Sequence, residues 1–153
     1  MDVAAIKGLM CEIPLFDQLA PEELDVVARN MEYSKVPKGS VLVKEGALGE
    51  ALYYIVSGKV EIRKESMDGH QAVLTQFAKG AIVGELALLE EHSRRSATAS
   101  VVEDCEILAL SRPNFDGMLK THPAIGNVIL RGIGRILANR LRSTTGRFAD
   151  VFG

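Results

Sequence analysis

Residues 32–110 are cut at short intervals by turn-forming residues, and that spacing is what most restricts the fold. Val41-Leu42-Val43, Leu52 to Val56, Val60-Glu61-Ile62, Ala72 to Phe77 and Val101 to Leu110 are apolar or alternating runs. Between them stand Pro37-Lys38-Gly39, Glu45-Gly46, Ser57-Gly58, Asp68-Gly69 and Lys79-Gly80. Glycine reaches the positive φ of tight turns without a side-chain penalty, and proline presets a corner. Short runs separated in this way read as strands, and strands joined by such brief turns pair antiparallel in a sandwich or barrel. Asp68-Gly69 marks a hairpin between 60–64 and 72–77, with a loop longer than two residues. The expected core is an antiparallel β-roll (jelly-roll) over 32–110.

Helical patterns flank the roll, so the expected class is α+β. Pro21 suits a first helical position, and Glu22 and Glu23 put carboxylates in the first turn, where the helix dipole favours them. Leu24, Val27, Ala28 and Met31 recur at helical spacing, and Leu15, Phe16 and Leu19 are placed to pack that helix on the core. The N-terminal helical segment is therefore expected over 1–31. Ser111 is the expected N-cap of a short helix carrying Phe115, Met118 and Leu119. Pro123 opens a longer helix and Gly146 is its expected stop, giving C-terminal helices over 111–148. The chain has 153 residues, 47% of them apolar, enough for one domain with a sizeable core. No repeat or low-complexity linker divides 1–153.

On a wheel at about 100° per residue, Ile125, Ile129, Leu130, Ile133, Ile136, Leu137 and Leu141 fall in one arc, with Arg131, Arg135 and Arg142 opposite. The arc can pack on its own domain, or part of it can pair with the same helix of a second chain in a self-complementary contact. The arginine stripe reads as a solvated face, since cations near a helix C-terminus are favoured. Thr144 extends the apolar arc and is expected to face inward.

The chemistry lies in Gly84-Glu85-Leu86-Ala87-Leu88-Leu89 followed by Arg94-Arg95-Ser96-Ala97-Thr98. A helix start presents backbone N–H groups to an anion, and an arginine adds a planar fork of donors that stays charged. An ionised Glu85 only accepts, so it repels phosphate but can hold sugar hydroxyls. Ala87 and Ala97 leave room for a ligand to approach the backbone. The set suits a small phosphorylated sugar.

Gly84-Glu85-Leu86-Ala87 with Arg95-Ser96-Ala97 resembles the phosphate-binding cassette of cyclic-nucleotide-binding domains. The ten-residue gap from Glu85 to Arg95 is similar to that of the bacterial catabolite activators among them. The resemblance continues through Leu15-Phe16, Lys38-Gly39, Glu45-Gly46, Leu52 to Val56, Gly58 and Gly80, and on to Arg140-Leu141 and Thr144-Thr145. It implies a cassette over 84–98 and a ligand set of Val83, Gly84, Glu85, Leu86, Ala87, Arg95, Ser96, Ala97, Thr144 and Thr145. Arg95 and the N–H groups of Glu85 to Ala87 would hold the cyclic phosphate, and Glu85 the ribose 2′-hydroxyl. Thr144 and Thr145, the second of them from another subunit, would read the base, with Leu74 and Val60 walling it. Ser96 favours cyclic AMP, with cyclic GMP the other candidate. The implied protein is a cytoplasmic sensor, not an enzyme, that signals through its last helix to a downstream protein, as a possible homodimer.

Other classes fit less well. A net charge of −2 gives no general attraction to nucleic acid, and no apolar run is long enough for a membrane helix. Cys11 and Cys105 stand far apart and read as reduced thiols, and His70, His92 and His122 lack the paired spacing of a metal site, so no cofactor is expected. Glu90-Glu91 read as a solvated loop rather than paired catalytic carboxylates. Too few residues follow Gly146 for a helix-turn-helix, so direct DNA reading by this chain is not expected. The remaining alternative is a degenerate fold of this family that acts as a protein-interaction adaptor without ligand. Glu85 and Arg95 weigh against it, because burying charges without use carries a desolvation cost.

Overall fold

The computed structural model describes the backbone of residues 1–152 and the side chains of residues 1–146; Gly153 lies outside the described residues. Three helical pieces come first: α1 (Val3–Met10), a 3-10 turn (Pro14–Phe16) and α2 (Pro21–Arg29). Pro21 opens α2, and the Glu23 side chain accepts from the Ala20 backbone N–H at 2.9 Å, closing the first turn. The helix stops at Asn30, so Met31 belongs to a strand and not to the helix its spacing suggested. Met31 still points into the helical core. Six strands follow: β1 (Met31–Val36), β2 (Val41–Val43), β3 (Ala51–Glu65), β4 (Gln71–Phe77), β5 (Ile82–Val83) and β6 (Thr98–Ser111). Helix α3 (Leu86–Leu89) interrupts the last pair, and α4 (Arg112–Thr121) and α5 (Pro123–Phe152) complete the chain.

All six strands form one antiparallel sheet, rolled but not closed. Its centre is the pairing of β3 with β6, from Ala51 opposite Ser111 to Arg63 opposite Thr98. The outer edge of each long strand is shared by two short ones. β1 pairs with residues 105–110 of β6 and β2 with residues 99–100. On the other edge, β5 pairs with Tyr53 and Tyr54, and β4 with residues 60–65.

Alternation along the central strands makes two cores. Leu52, Tyr54, Val56, Leu108 and Leu110 face the helices and join Phe115, Met118, Ile125, Ile129 and Ile133. Ile55, Val60, Val101 and Ile107 face the inside of the roll with Val43, Val83 and Ala99. Leu15, Phe16 and Leu19 are buried in the helical core, as their placement predicted.

The structure departs from the sequence reading at two further points. Residues 52–56 and 60–62 are one strand, because Ser57-Gly58 is an irregularity within β3 and not a turn. Gly58 has φ +92°, and a Cβ there would lie 2.3 Å from the Asp104 carbonyl oxygen, so the close strand crossing demands glycine. Nor does Gly146 end the last helix, which continues to Phe152. Ser111 does cap α4, its hydroxyl accepting from the Asn114 N–H at 3.3 Å.

Candidate ligand-binding site

The site is built where β5 turns into α3. Gly84 has φ +79°, which sends the chain sharply from the sheet into the helix start. The Ala87 N–H donates to the Gly84 carbonyl at 3.2 Å and the Leu88 N–H to the Glu85 carbonyl at 3.1 Å. The Ala87 N–H is thus engaged within the turn. The N–H groups of Glu85 and Leu86 have no acceptor among the described residues. Ala87 and Leu88 are buried and pin this turn to the roll, while Glu90 and Glu91 are exposed, as expected of a solvated loop.

Arg95 comes from the segment leading into β6. Its guanidinium donates to the Gly84 carbonyl at 3.0 Å and to the Ala51 carbonyl at 2.9 Å. Its backbone N–H donates to the Ala47 carbonyl at 2.7 Å. The guanidinium carbon lies 5.7 Å from the centre of the Tyr53 ring. Space around it is set by glycines: a Cβ on Gly84 would lie 2.3 Å from its Nη1, and one on Gly49 3.0 Å from its Nε. The partners of this fork are neutral carbonyls, and no carboxylate pairs with it among the described residues. Its positive charge is therefore half-buried, fixed and without a carboxylate partner among the described residues.

That charge lines a cavity of about 250 Å³. Val83, Gly84, Glu85, Leu86, Ala87, Arg95, Ser96 and Ala97, eight of the ten expected ligand residues, line it together. Its apolar wall includes Leu74, as expected, with Val43, Ile62 and Phe77. Val60 is not part of that wall: it is fully buried inside the roll, and Ile62, two residues further on the same face, takes the place. Thr144 and Thr145 do not line the cavity. Both are exposed, and the Thr144 hydroxyl turns back to donate to the Arg140 carbonyl at 3.0 Å instead of facing inward.

Arg140, which the resemblance reaches but the expected ligand set lacks, belongs to the site. From α5 it lines the cavity, donating to the Ile82 carbonyl at 2.8 Å with its other terminal nitrogen 3.6 Å from the Glu85 carboxylate. Its guanidinium carbon lies 4.4 Å from the centre of the Phe77 ring. Burial lowers the Arg140 pKa, opposed by the Glu85 carboxylate. The signal available in the sequence was its spacing: Arg140 lies one helical turn before Thr144, on the same face. Thr75 also lines the cavity and is exposed.

Elsewhere the chain offers little chemistry. His70, His92 and His122 are exposed, Cys11 is an exposed free thiol and Cys105 a buried one. Among the described residues no group of three His, Cys, Asp or Glu is placed to hold a metal ion, and no helix is long and apolar enough to cross a membrane.

The cyclic nucleotide-binding domain family model matches residues 33–122. The cyclic AMP receptor protein of Thermus thermophilus is 36% identical over 129 residues, which are 84% of this chain and 57% of that protein. The crystal structure of the Thermus thermophilus catabolite activator protein superposes with a TM-score of 0.76 at 34% identity, covering 89% of this chain and 62% of that one. A cyclic nucleotide-binding domain from Methylobacillus flagellatus superposes with a TM-score of 0.83 at 26% identity, covering 95% and 81%. The chain thus spans somewhat more than half the length of the Thermus proteins it matches. With the matched model covering more than half of its length, the chain belongs to the cyclic nucleotide-binding domain family.

Proposed function

We propose that residues 1–153 form one cyclic nucleotide sensor, with cyclic AMP its preferred ligand, that passes occupancy of the cavity through α5 to a partner or an attached module. The observation that carries this reading is Arg95, a fixed guanidinium with only neutral partners, lining an apolar cavity. Its positive charge suits the negative charge of a cyclic phosphate, and Arg94, which donates to the Gly46 carbonyl, adds a second cation to the same wall. The N–H groups of Glu85 and Leu86, which have no acceptor of their own among the described residues, supply further donors to the same oxygens, and Ser96 lines the same cavity. Leu74, Ile62 and Phe77 provide apolar surface for a base.

Glu85 serves as acceptor for the ribose 2′-hydroxyl, and Arg140 holds its carboxylate in place from α5. The ligand therefore meets the last helix through an ion pair that already exists. Thr144 and Thr145 read the base only in a dimer or after a shift of α5, since both are exposed in the single chain. The cyclic AMP preference draws on the name of the Thermus relative. We read the chain as a binding module and not an enzyme, and we assign it no DNA contact.

Titration with cyclic AMP, cyclic GMP and 2′-deoxy cyclic AMP tests the assignment. Cyclic AMP is expected to bind tightest. The deoxy analogue should lose roughly tenfold or more, because a hydrogen bond to a charged group contributes about 1.5–3 kcal/mol. Equal binding of the deoxy compound would remove Glu85 from ribose recognition. Binding of none of the three would favour the adaptor.

A further inference from the structure

Helix α3 is only four residues long, and a residue outside the cavity holds its exit. Arg112, the first residue of α4, donates from its guanidinium to the Glu90 carbonyl just past α3. The same guanidinium lies 3.7 Å from the Glu91 carboxylate and 3.5 Å from that of Asp116, one turn along α4. Its backbone N–H donates to the Glu50 carbonyl at 2.8 Å, beside Ala51, whose carbonyl holds Arg95. A guanidinium is a rigid fork, so displacing one partner drags the others. Helix α4 in turn meets α5 at backbone range: a Cβ on Gly126 would lie 2.3 Å from Leu119 Cδ2. The C-terminal helices therefore grip the cassette on both sides of α3, Arg140 before it through Glu85 and Arg112 after it through Glu90 and Glu91.

We propose that Arg112 is the positioning residue that couples occupancy of the cavity to the placement of α4 and α5. The proposal rests on the cyclic nucleotide reading above. A ligand seated on the Glu85 and Leu86 N–H groups moves α3. The Glu90 carbonyl moves with it, Arg112 follows, and α4 carries α5. Arg112 lines no part of the cavity, so its role in coupling separates from binding itself.

The test uses the full chain, cyclic AMP as probe, and the variants Arg112→Gln and Arg112→Lys, each checked by thermal melting. Calorimetry and amide hydrogen exchange are read on the same samples. Arg112→Gln is expected to bind cyclic AMP within about threefold of the wild type, while the ligand-induced change in exchange over α4 disappears and that over α5 shrinks to what the Arg140–Glu85 contact carries; couplings of this kind are typically ~5–150-fold. Arg112→Lys, which keeps the charge and loses the fork, should restore part of that response. Without ligand, Arg112→Gln should speed exchange in 84–91 and in the first turn of α4 together. The proposal is overturned if Arg112→Gln keeps the wild-type response of α5, or if affinity and response fall in proportion. Absence of binding heat with Arg112 intact overturns the cyclic nucleotide reading and takes this proposal with it, an outcome distinct from the other two.

Discussion

Gly84 and Arg95 are fitted to one another atom by atom. The positive φ of Gly84 turns its carbonyl onto the guanidinium, and the missing Cβ leaves room for Nη1. Gly84→Ala should therefore cost twice, through backbone strain of about 1–3 kcal/mol and through displacement of Arg95 from the cavity. Calorimetry should show cyclic AMP affinity at least tenfold weaker; unchanged affinity would mean that the fit does not matter to the ligand. At this scale much of the site was legible in the sequence. Glycine, carboxylate and arginine announce their chemistry by residue type, and local spacing brings 83–87 and 95–97 to one cavity. Arg140 was not legible in the same way, because its part depends on where a helix more than 40 residues away lands. Ile62 replaced Val60 for a related reason: both lie on one face of β3, but Val60 is fully covered by the packing inside the roll, which depends on contacts distant in sequence.

Among the elements, the helix starts and the Asp68-Gly69 turn were readable, while the continuity of β3 and the end of the last helix were not. Asp68-Gly69 turns the β3–β4 hairpin, and the Ser111, Pro21 and Pro123 helix starts stand where their chemistry places them. Ser57-Gly58 looks like a turn in one dimension, yet the partner β6 runs past both halves and holds them in one strand. The edge strand β1 is held to β6 by side chains as well as by its ladder. Glu106 accepts from the Tyr33 hydroxyl at 2.6 Å and from the Ser57 hydroxyl at 3.0 Å. These hydrogen bonds hold the Glu106 carboxyl below its ordinary pKa. A carboxyl depressed in the folded state adds stability above its unfolded pKa, and that stability is lost as pH falls through the folded value. Tyr33→Phe should thus lower the melting temperature near neutral pH and narrow its difference from the wild type as pH drops below about 4. A difference that stays constant across this range would show that the network contributes nothing through ionisation.

For the molecule as a whole, α5 is the element that both touches the site and leaves it. Ile125, Ile129 and Ile133 are buried in the helical core, Ile136 and Leu137 are half-buried, and Leu141 is 68% exposed. The apolar arc is therefore used by its own domain at one end and left open at the other, where a second copy of the helix can pack. Leu141→Glu should shift sedimentation toward monomer while leaving the fold intact; identical sedimentation of variant and wild type would remove this face from self-association. Arg95 is the group on which cyclic phosphate binding by this cavity depends most. Calorimetric titration of cyclic AMP into protein stripped of ligand by refolding tests it, with wild type and Arg95→Lys side by side. Binding to the wild type is expected to be micromolar or tighter, with a loss of about tenfold to a hundredfold for lysine, which keeps the charge but cannot span the Gly84 and Ala51 carbonyls while facing the ligand. Equal heats and affinities for the two proteins, or no heat from the wild type, would contradict it.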